Sequence, residues 1–172
     1  MLRGINVGGQ KRVSMQALKE MYSSLGYTEV QTYVQSGNVI FSANANGSSV
    51  KEEIEREIKR AFGFDVLVFL RNRSELAVLV KNSPFKQKDE TKLHVTFLSE
   101  KPRKIPVDDL NSAKSGAEDF TISGQEIYLF CPNGYGVTRL SNTFFEKKLK
   151  VSATTRNWRT VNTLLAILSH EY

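Results

Sequence analysis

Two stretches of this chain lie over one another without a gap. YVQSGNVIFSANANG at 33–47 aligns with FTISGQEIYLFCPNG at 120–134, an offset of 87 residues. Ser36-Gly37 falls on Ser123-Gly124, Ile40 on Ile127, Phe41 on Tyr128 and Gly47 on Gly134. Each stretch has a Ser-Gly turn with alternating apolar residues after it, the pattern of a β-hairpin. Ser-Gly turns are common, so two unrelated hairpins are the alternative. The flanking segments favour duplication, because the same order of elements returns on both sides.

In the first half, Leu2 to Ile5 reads as the end of a short strand that begins upstream. Ser14 reads as an N-cap, and Met15, Leu18, Met21, Tyr22 and Leu25 follow at helical spacing until Gly26. Strands are expected at Glu29 to Gln35 and Asn38 to Ala43. A loop, NANGSS, then leads to a helix capped by Ser48 or Ser49, with Val50, Ile54, Ile58 and Phe62 at i+4. VLVFL at 66–70 reads as a strand apolar on both faces. A short helix, Ser74 to Val80, stops before Pro84.

The second half repeats this. Strands are expected at Leu93 to Leu98, Asp119 to Ser123, Glu126 to Cys131 and Val151 to Thr154, and helices at Val107 to Ala113 and Thr143 to Leu149. A further helix, Arg156 to Ser169, is extra. The expected fold class is α+β: two ferredoxin-like β-α-β-β-α-β halves, each with an antiparallel sheet, plus a C-terminal helix. The halves divide as 1–83, with the connecting helix, and 84–172. Helices cover one face of a sheet, and the strands are apolar on both, so the halves are expected to pack as one unit.

Hydrophobic residues are 40% of the 172, enough for a core without staples. Cys131 is the only cysteine, which excludes an intramolecular disulfide and a cysteine-based zinc cluster. No apolar leader and no run of about 18 apolar residues is present, so a cytoplasmic protein without membrane contact is expected. The net charge is +6. From Cys131 onward six Lys or Arg face two Glu, an excess that would attract a phosphate-bearing partner or simply be a solvated surface.

The start of the chain resembles a phosphate-binding loop. Gly4 to Gly9 satisfies G-x4-G, but the Lys and Ser/Thr that should follow are Gln10 and Lys11, which removes the phosphate-binding lysine and the magnesium-holding hydroxyl. Gly8-Gly9 is instead expected to make a tight turn. An RNA-recognition sheet is disfavoured too, because SGNVIFSA lacks the basic start and the aromatics of that motif, Phe41 apart. Near the other end, Thr154 or Thr155 is the expected N-cap of the last helix. Arg156 and Arg159 would then sit in its first turn and, with free backbone N–H groups, make an anion site. Pairing with surface acids is the alternative. Trp158, Val161, Leu165 and Leu168 form a core-facing stripe. His94 and His170 have no convincing partners, Asp108-Asp109 reads as a helix first turn, and Cys131 has no basic neighbour in sequence. No catalytic constellation, metal set or cofactor motif emerges.

LRGINVGG, YVQSGNVIF and ATTRNWRTV, in this order, resemble an uncharacterised bacterial family known only as a domain of unknown function. The resemblance spans essentially the whole chain. It implies a two-subdomain α+β fold of ferredoxin-like halves and brings no activity, cofactor or catalytic residue. Family members usually carry a few residues before the Leu-Arg-Gly block. The signature blocks are Arg3-Gly4-Ile5-Asn6, Gln35-Ser36-Gly37-Asn38 and Thr155-Arg156-Asn157-Trp158. Convergence of these blocks would line one polar cleft with Arg3, Asn6, Gln35, Asn38, Arg156 and Asn157, with Arg159 beside them. Amides and guanidiniums without matched acids bind phosphate, carboxylate or base edges. They supply no nucleophile and no base, so the expected role is a binding module for a nucleic acid or nucleotide-like anion. An anion-handling transferase or hydrolase, and a structural or interaction protein, are the alternatives. The latter would bury the amides against backbone groups. The sequence does not give the oligomeric state.

Overall fold

The computed structural model describes residues 1–45 and 47–170; the side chain of His170 lies outside the described set. The chain forms a mixed α+β structure with two antiparallel sheets, divided into two compact units, Met1–Leu70 and Arg71 onward.

In the first unit, helix α1 (Met15–Ser24) starts where the Ser14 side chain accepts a hydrogen bond from the Ala17 N–H at 3.0 Å. Leu18, Met21 and Tyr22 face inward, and Gly26, at φ +84°, turns the chain out. Strands β1 (Thr28–Tyr33) and β2 (Asn38–Ser42) pair antiparallel, closed by Tyr33 opposite Asn38. Helix α2 (Gly47–Phe62) then buries Val50, Ile54 and Ile58 in a core shared with Leu2, Ile5, Leu18 and Tyr22. The i+4 row reaches the core while the lysines, arginines and glutamates stay outside.

The expected strands at 2–5 and 66–70 shrink to a single bridge, Leu2 to Val68. Arg3 N–H donates to Leu67 O at 3.0 Å, Phe69 N–H to Met1 O at 2.8 Å, and Leu2 N–H to Gly37 O at 2.9 Å. A longer ladder is stopped by the positive φ of Gly4 (+69°) and Asn6 (+54°), which turn the backbone away at once.

The second unit opens with helix α3 (Arg73–Lys81). Its capping box pairs the Asn72 side chain with the Glu75 N–H and the Glu75 carboxylate with the Asn72 N–H. The strands are β3 (Leu93–Leu98), β4 (Asp119–Ser123), β5 (Glu126–Phe130) and β6 (Ala153–Asn157), ordered β4-β5-β3-β6 and antiparallel throughout. Between them run α4 (Val107–Ser112) and α5 (Asn142–Leu149), and α6 (Trp158–His170) closes the chain. Leu98, Ile127, Leu129 and Ala153 share one sheet face and form a core with Leu110 of α4 and Phe145 and Leu149 of α5. On the other face the Tyr128 hydroxyl donates to Leu79 O of α3 at 2.9 Å. Arg71 meets Glu126 at 2.8 Å and stacks its guanidinium over Phe97.

The last helix starts later than its sequence suggests. Neither Thr154 nor Thr155 caps it. Both lie in β6, paired along β3 from Leu98↔Ala153 to His94↔Asn157, and the cap is Asn157, whose Oδ1 accepts the Thr160 N–H at 2.8 Å. A local cap competes here with a complete strand ladder, and the ladder wins because it satisfies more backbone groups. Arg156 is therefore a strand residue, outside the first turn of α6; Arg159 is in that turn.

Candidate functional site

The chain from Gly4 to Ser14 is shaped by backbone conformations that most residues avoid. Gly8 (φ +59°) and Gly9 (φ +76°) make a two-residue turn closed by the bridge from Val7 to Gln10. This is the tight turn expected of the glycine pair. Asn6, at φ +54°, holds the loop: its Nδ2 donates to Val13 O and to Gln35 O, and its Oδ1 accepts the Val13 N–H, each at 2.9 Å. One side chain thus ties the opening loop, the start of α1 and the β1–β2 turn.

That turn is tight as well. Gly37 is buried at φ +77°, and a Cβ there would stand 2.6 Å from Ile5 Cδ1 and 2.9 Å from Leu2 Cβ. Asn38 is fully buried and donates to Tyr33 O at 3.0 Å and Ser36 Oγ at 3.1 Å. Val34 has φ +51°, rare for a β-branched residue, and is 48% exposed.

Between loop and turn lies a cleft of about 520 Å³, lined by Asn6, Gly9, Arg12, Val13, Ser14 and Gln35. Arg12 and the Gln35 side chain are exposed and make no hydrogen bond or ion pair among the described residues. Ser14 marks the N-terminus of α1, whose dipole favours a negative group. No carboxylate lines the cleft.

The first two signature blocks thus meet inside the first unit, through Asn6–Gln35 and Leu2–Gly37. The third belongs to the second unit. There Arg156 is buried, with Nη1 donating to Thr154 Oγ1 and Thr155 O, both at 2.8 Å. Burial lowers its pKa to about 10, and the neighbouring Tyr135 partly offsets this. Arg3 is half-buried, and its N–H joins the bridge to Leu67. Arg159 is exposed, with no side-chain partner among the described residues.

A polar cluster that the sequence did not suggest surrounds Thr155. Its hydroxyl donates to Asn142 Oδ1 at 2.6 Å and accepts from the Tyr135 hydroxyl at 3.0 Å. With its one hydrogen so used, it must also accept from Thr96 at 2.7 Å. His94 stacks on Tyr135 with ring centroids 5.0 Å apart, its Nδ1 is buried without a partner, and burial lowers its pKa. These residues come from four separate segments, so no local spacing could announce them. Arg12 had a usable signal, since it stands two residues before the Ser14 cap. Among the described residues no group of His, Cys, Asp and Glu could hold a metal ion, and no helix is long and apolar enough to cross a membrane.

Fold and cleft together define a two-unit α+β protein whose conspicuous polar residues are amides and guanidiniums. The chain belongs to the family described as protein of unknown function (DUF1697), whose model matches residues 1–128. Among solved structures it is similar to the conserved bacterial protein SP0830 from Streptococcus pneumoniae. The match covers 98% of this chain and 96% of that one, with 22% identity and a TM-score of 0.70. That likeness is one of fold. No curated protein matches the chain.

Proposed function

We propose that this protein is a binding module for a nucleotide-like anion or a nucleic acid end, received in the cleft of the first unit. The observation that carries the reading is the composition of that cleft. It offers the Arg12 guanidinium, the Gln35 carboxamide and the N-terminal end of α1, and no carboxylate. Donors of this kind complement phosphate, and with no carboxylate or imidazole in the lining to activate the Ser14 hydroxyl, which caps α1, they hold rather than transform it. Of the signature residues, Gln35 would touch ligand, while Asn6 and Asn38 set the two walls. Arg3, Arg156, Asn157 and Arg159 enter this reading as supports or as outlying cations.

The test is titration of labelled mononucleotides and short oligonucleotides at low salt. Wild type should bind, and Arg12→Ala should weaken binding roughly tenfold or more, the usual scale for a charge-assisted contact. Absence of mononucleotide binding by wild type at about 20 mM salt would refute the reading.

One observation favours a second reading, a structural or interaction module. Asn6, Asn38 and Asn157 all spend their side chains on local groups that hold the backbone in place. On this reading the signature records folding requirements.

The two units read best as copies of one β-α-β-β-α-β plan. The second has the 4-1-3-2 strand order of that plan. In the first, Leu2 lies between Gly37 and Val68, which is the same neighbour relation. The offset of 87 also carries 66–70 onto β6 at 153–157. Slow amide exchange at Leu2, Arg3 and Phe69 would support a true strand pair at 1–3 and 67–69; fast exchange at all three would count against it.

A further inference from the structure

Two basic segments that are far apart in sequence are brought to one end of the second unit's sheet. β3 leaves the sheet at Leu98 and runs into Lys101, Pro102, Arg103 and Lys104; β6 enters at Ala153, just after Lys147, Lys148 and Lys150. Leu98 pairs with Ala153, and the ladder continues past both strands. Ser99 N–H donates to Ser152 O at 2.9 Å, and Ser152 N–H donates to Ser99 Oγ at 3.0 Å. Lys148 Nζ reaches Asp109 Oδ2 at 2.6 Å, which ties the end of α5 to the start of α4. The two segments are thus fixed side by side.

The cations there are unspent. Lys101, Arg103, Lys104, Lys147 and Lys150 are exposed and make no hydrogen bond or ion pair through their side chains among the described residues. The exposed carboxylates adjoining them are Glu100, Asp108 and Asp109, and Asp109 is already paired with Lys148. Pro102 is buried and anchors the loop, so Lys101 and Arg103 on either side of it are held outward. Lys150 ends α5 in the left-handed conformation, φ +59°, where glycine or asparagine is the ordinary residue. Its ammonium is kept at the rim despite a backbone that disfavours it.

We propose that this rim is a contact surface for a phosphodiester backbone. It lies outside the first-unit cleft and goes beyond the reading given for that cleft. Several unpaired cations along one edge, with no aromatic side chain among them, suit phosphates and offer no stacking platform for bases. The contact is therefore indifferent to sequence and sensitive to salt. An anionic membrane surface is the less suitable partner. The aliphatic side chains at hand, Ile105 and Val107, are separated by Pro106 and followed at once by Asp108 and Asp109, so inserting them would carry two carboxylates to the headgroups.

The experiment measures binding of a labelled 20-nucleotide single strand between about 20 and 200 mM salt, for wild type and for the triple variant Lys101→Ala/Arg103→Ala/Lys104→Ala. Loss of three phosphate contacts should lower the slope of log K against log salt by about 2. The conservative variant Lys101→Arg/Lys104→Arg, which keeps Arg103 and all three charges, should retain the wild-type slope. Mononucleotide binding, which reports the cleft, should be unchanged in the triple variant, whereas Arg12→Ala should affect it. An unaltered slope in a triple variant that keeps the wild-type melting temperature overturns the proposal. So does absence of oligonucleotide binding by wild type, whatever the cleft does. Capture by phosphatidylserine vesicles without oligonucleotide binding also overturns it and assigns the rim to membranes.

Discussion

Gly37→Ala isolates what the close packing of the β1–β2 turn against the opening loop contributes. Two penalties add. An alanine at φ +77° meets the left-handed cost of about 1–2 kcal/mol. Its Cβ would also stand 2.6 and 2.8 Å from Ile5 Cδ1 and Cγ1 and 2.9 Å from Leu2 Cβ, distances that real Cβ atoms essentially never show. Ile5 and Leu2 are each 1% exposed and cannot swing away, so overpacking adds about 1–3 kcal/mol. Gly4→Ala is the control. Gly4 has nearly the same φ, +69°, but nothing stands within 4 Å of its would-be Cβ, so it carries the conformational cost alone. The difference between the two variants should be about 1–3 kcal/mol, or roughly 5- to 150-fold in an opening equilibrium. The only tryptophan, Trp158, reports the second unit, so fluorescence is the wrong probe. Amide hydrogen exchange at Leu18, Ile54 and Ile58 reads the first unit's core directly. Equal acceleration in both variants would refute the steric argument and leave only the φ term.

Cys131 is fully buried, and burial, helped by the Glu118 carboxylate, raises its thiol to about 11 from an ordinary 9.0. It should resist a thiol reagent at pH 8 until denaturant opens the unit; immediate modification of native protein would contradict its placement. Because the folded state holds this proton longer than the unfolded state, the thiol's contribution to stability is intact below about pH 9. It should fall as pH rises from there to about 11, a loss that Cys131→Ala removes in urea titrations. Thr155→Val deletes the hydroxyl shared by Thr96, Tyr135 and Asn142, and should lower stability by about 1–3 kcal/mol while Thr163→Val, at a half-buried position whose hydroxyl donates only to Arg159 O within α6, changes less. Equal melting temperatures for the two would refute a stabilising role for the Thr155 hydroxyl.

The helices were legible because their signals are local. Ser14 and the Leu18–Met21–Tyr22 spacing specify α1, and the i+4 row from Val50 to Ile58 specifies α2, within a few turns of chain. The hairpins were legible for the same reason. What failed depended on distant partners. Thr154 and Thr155 look like caps until β3, some 59 residues away, claims them for a ladder. The first strand looks regular until the positive φ of Gly4 curtails it and that of Asn6, a non-glycine, turns the chain further. In the cleft, Asn6 and Gln35 could be singled out as polar residues with no core role. Their division of labour could not, because it depends on which of Asn6's groups face Val13 and which face Gln35.

The strand order of the second unit bears on how the chain comes to be folded. β3 is one of the two inner strands, and one of its neighbours, β5, lies about 30 residues downstream and the other, β6, about 60. During synthesis the first unit can close on itself as soon as residue 70 is free. β3 must then wait, half paired, until the last strand appears. For that interval its bare edge, Leu93 to Leu98, is a template for unintended pairing. Slowing translation after Leu149 should lengthen this window, and aggregation of nascent chains stalled there would reveal it.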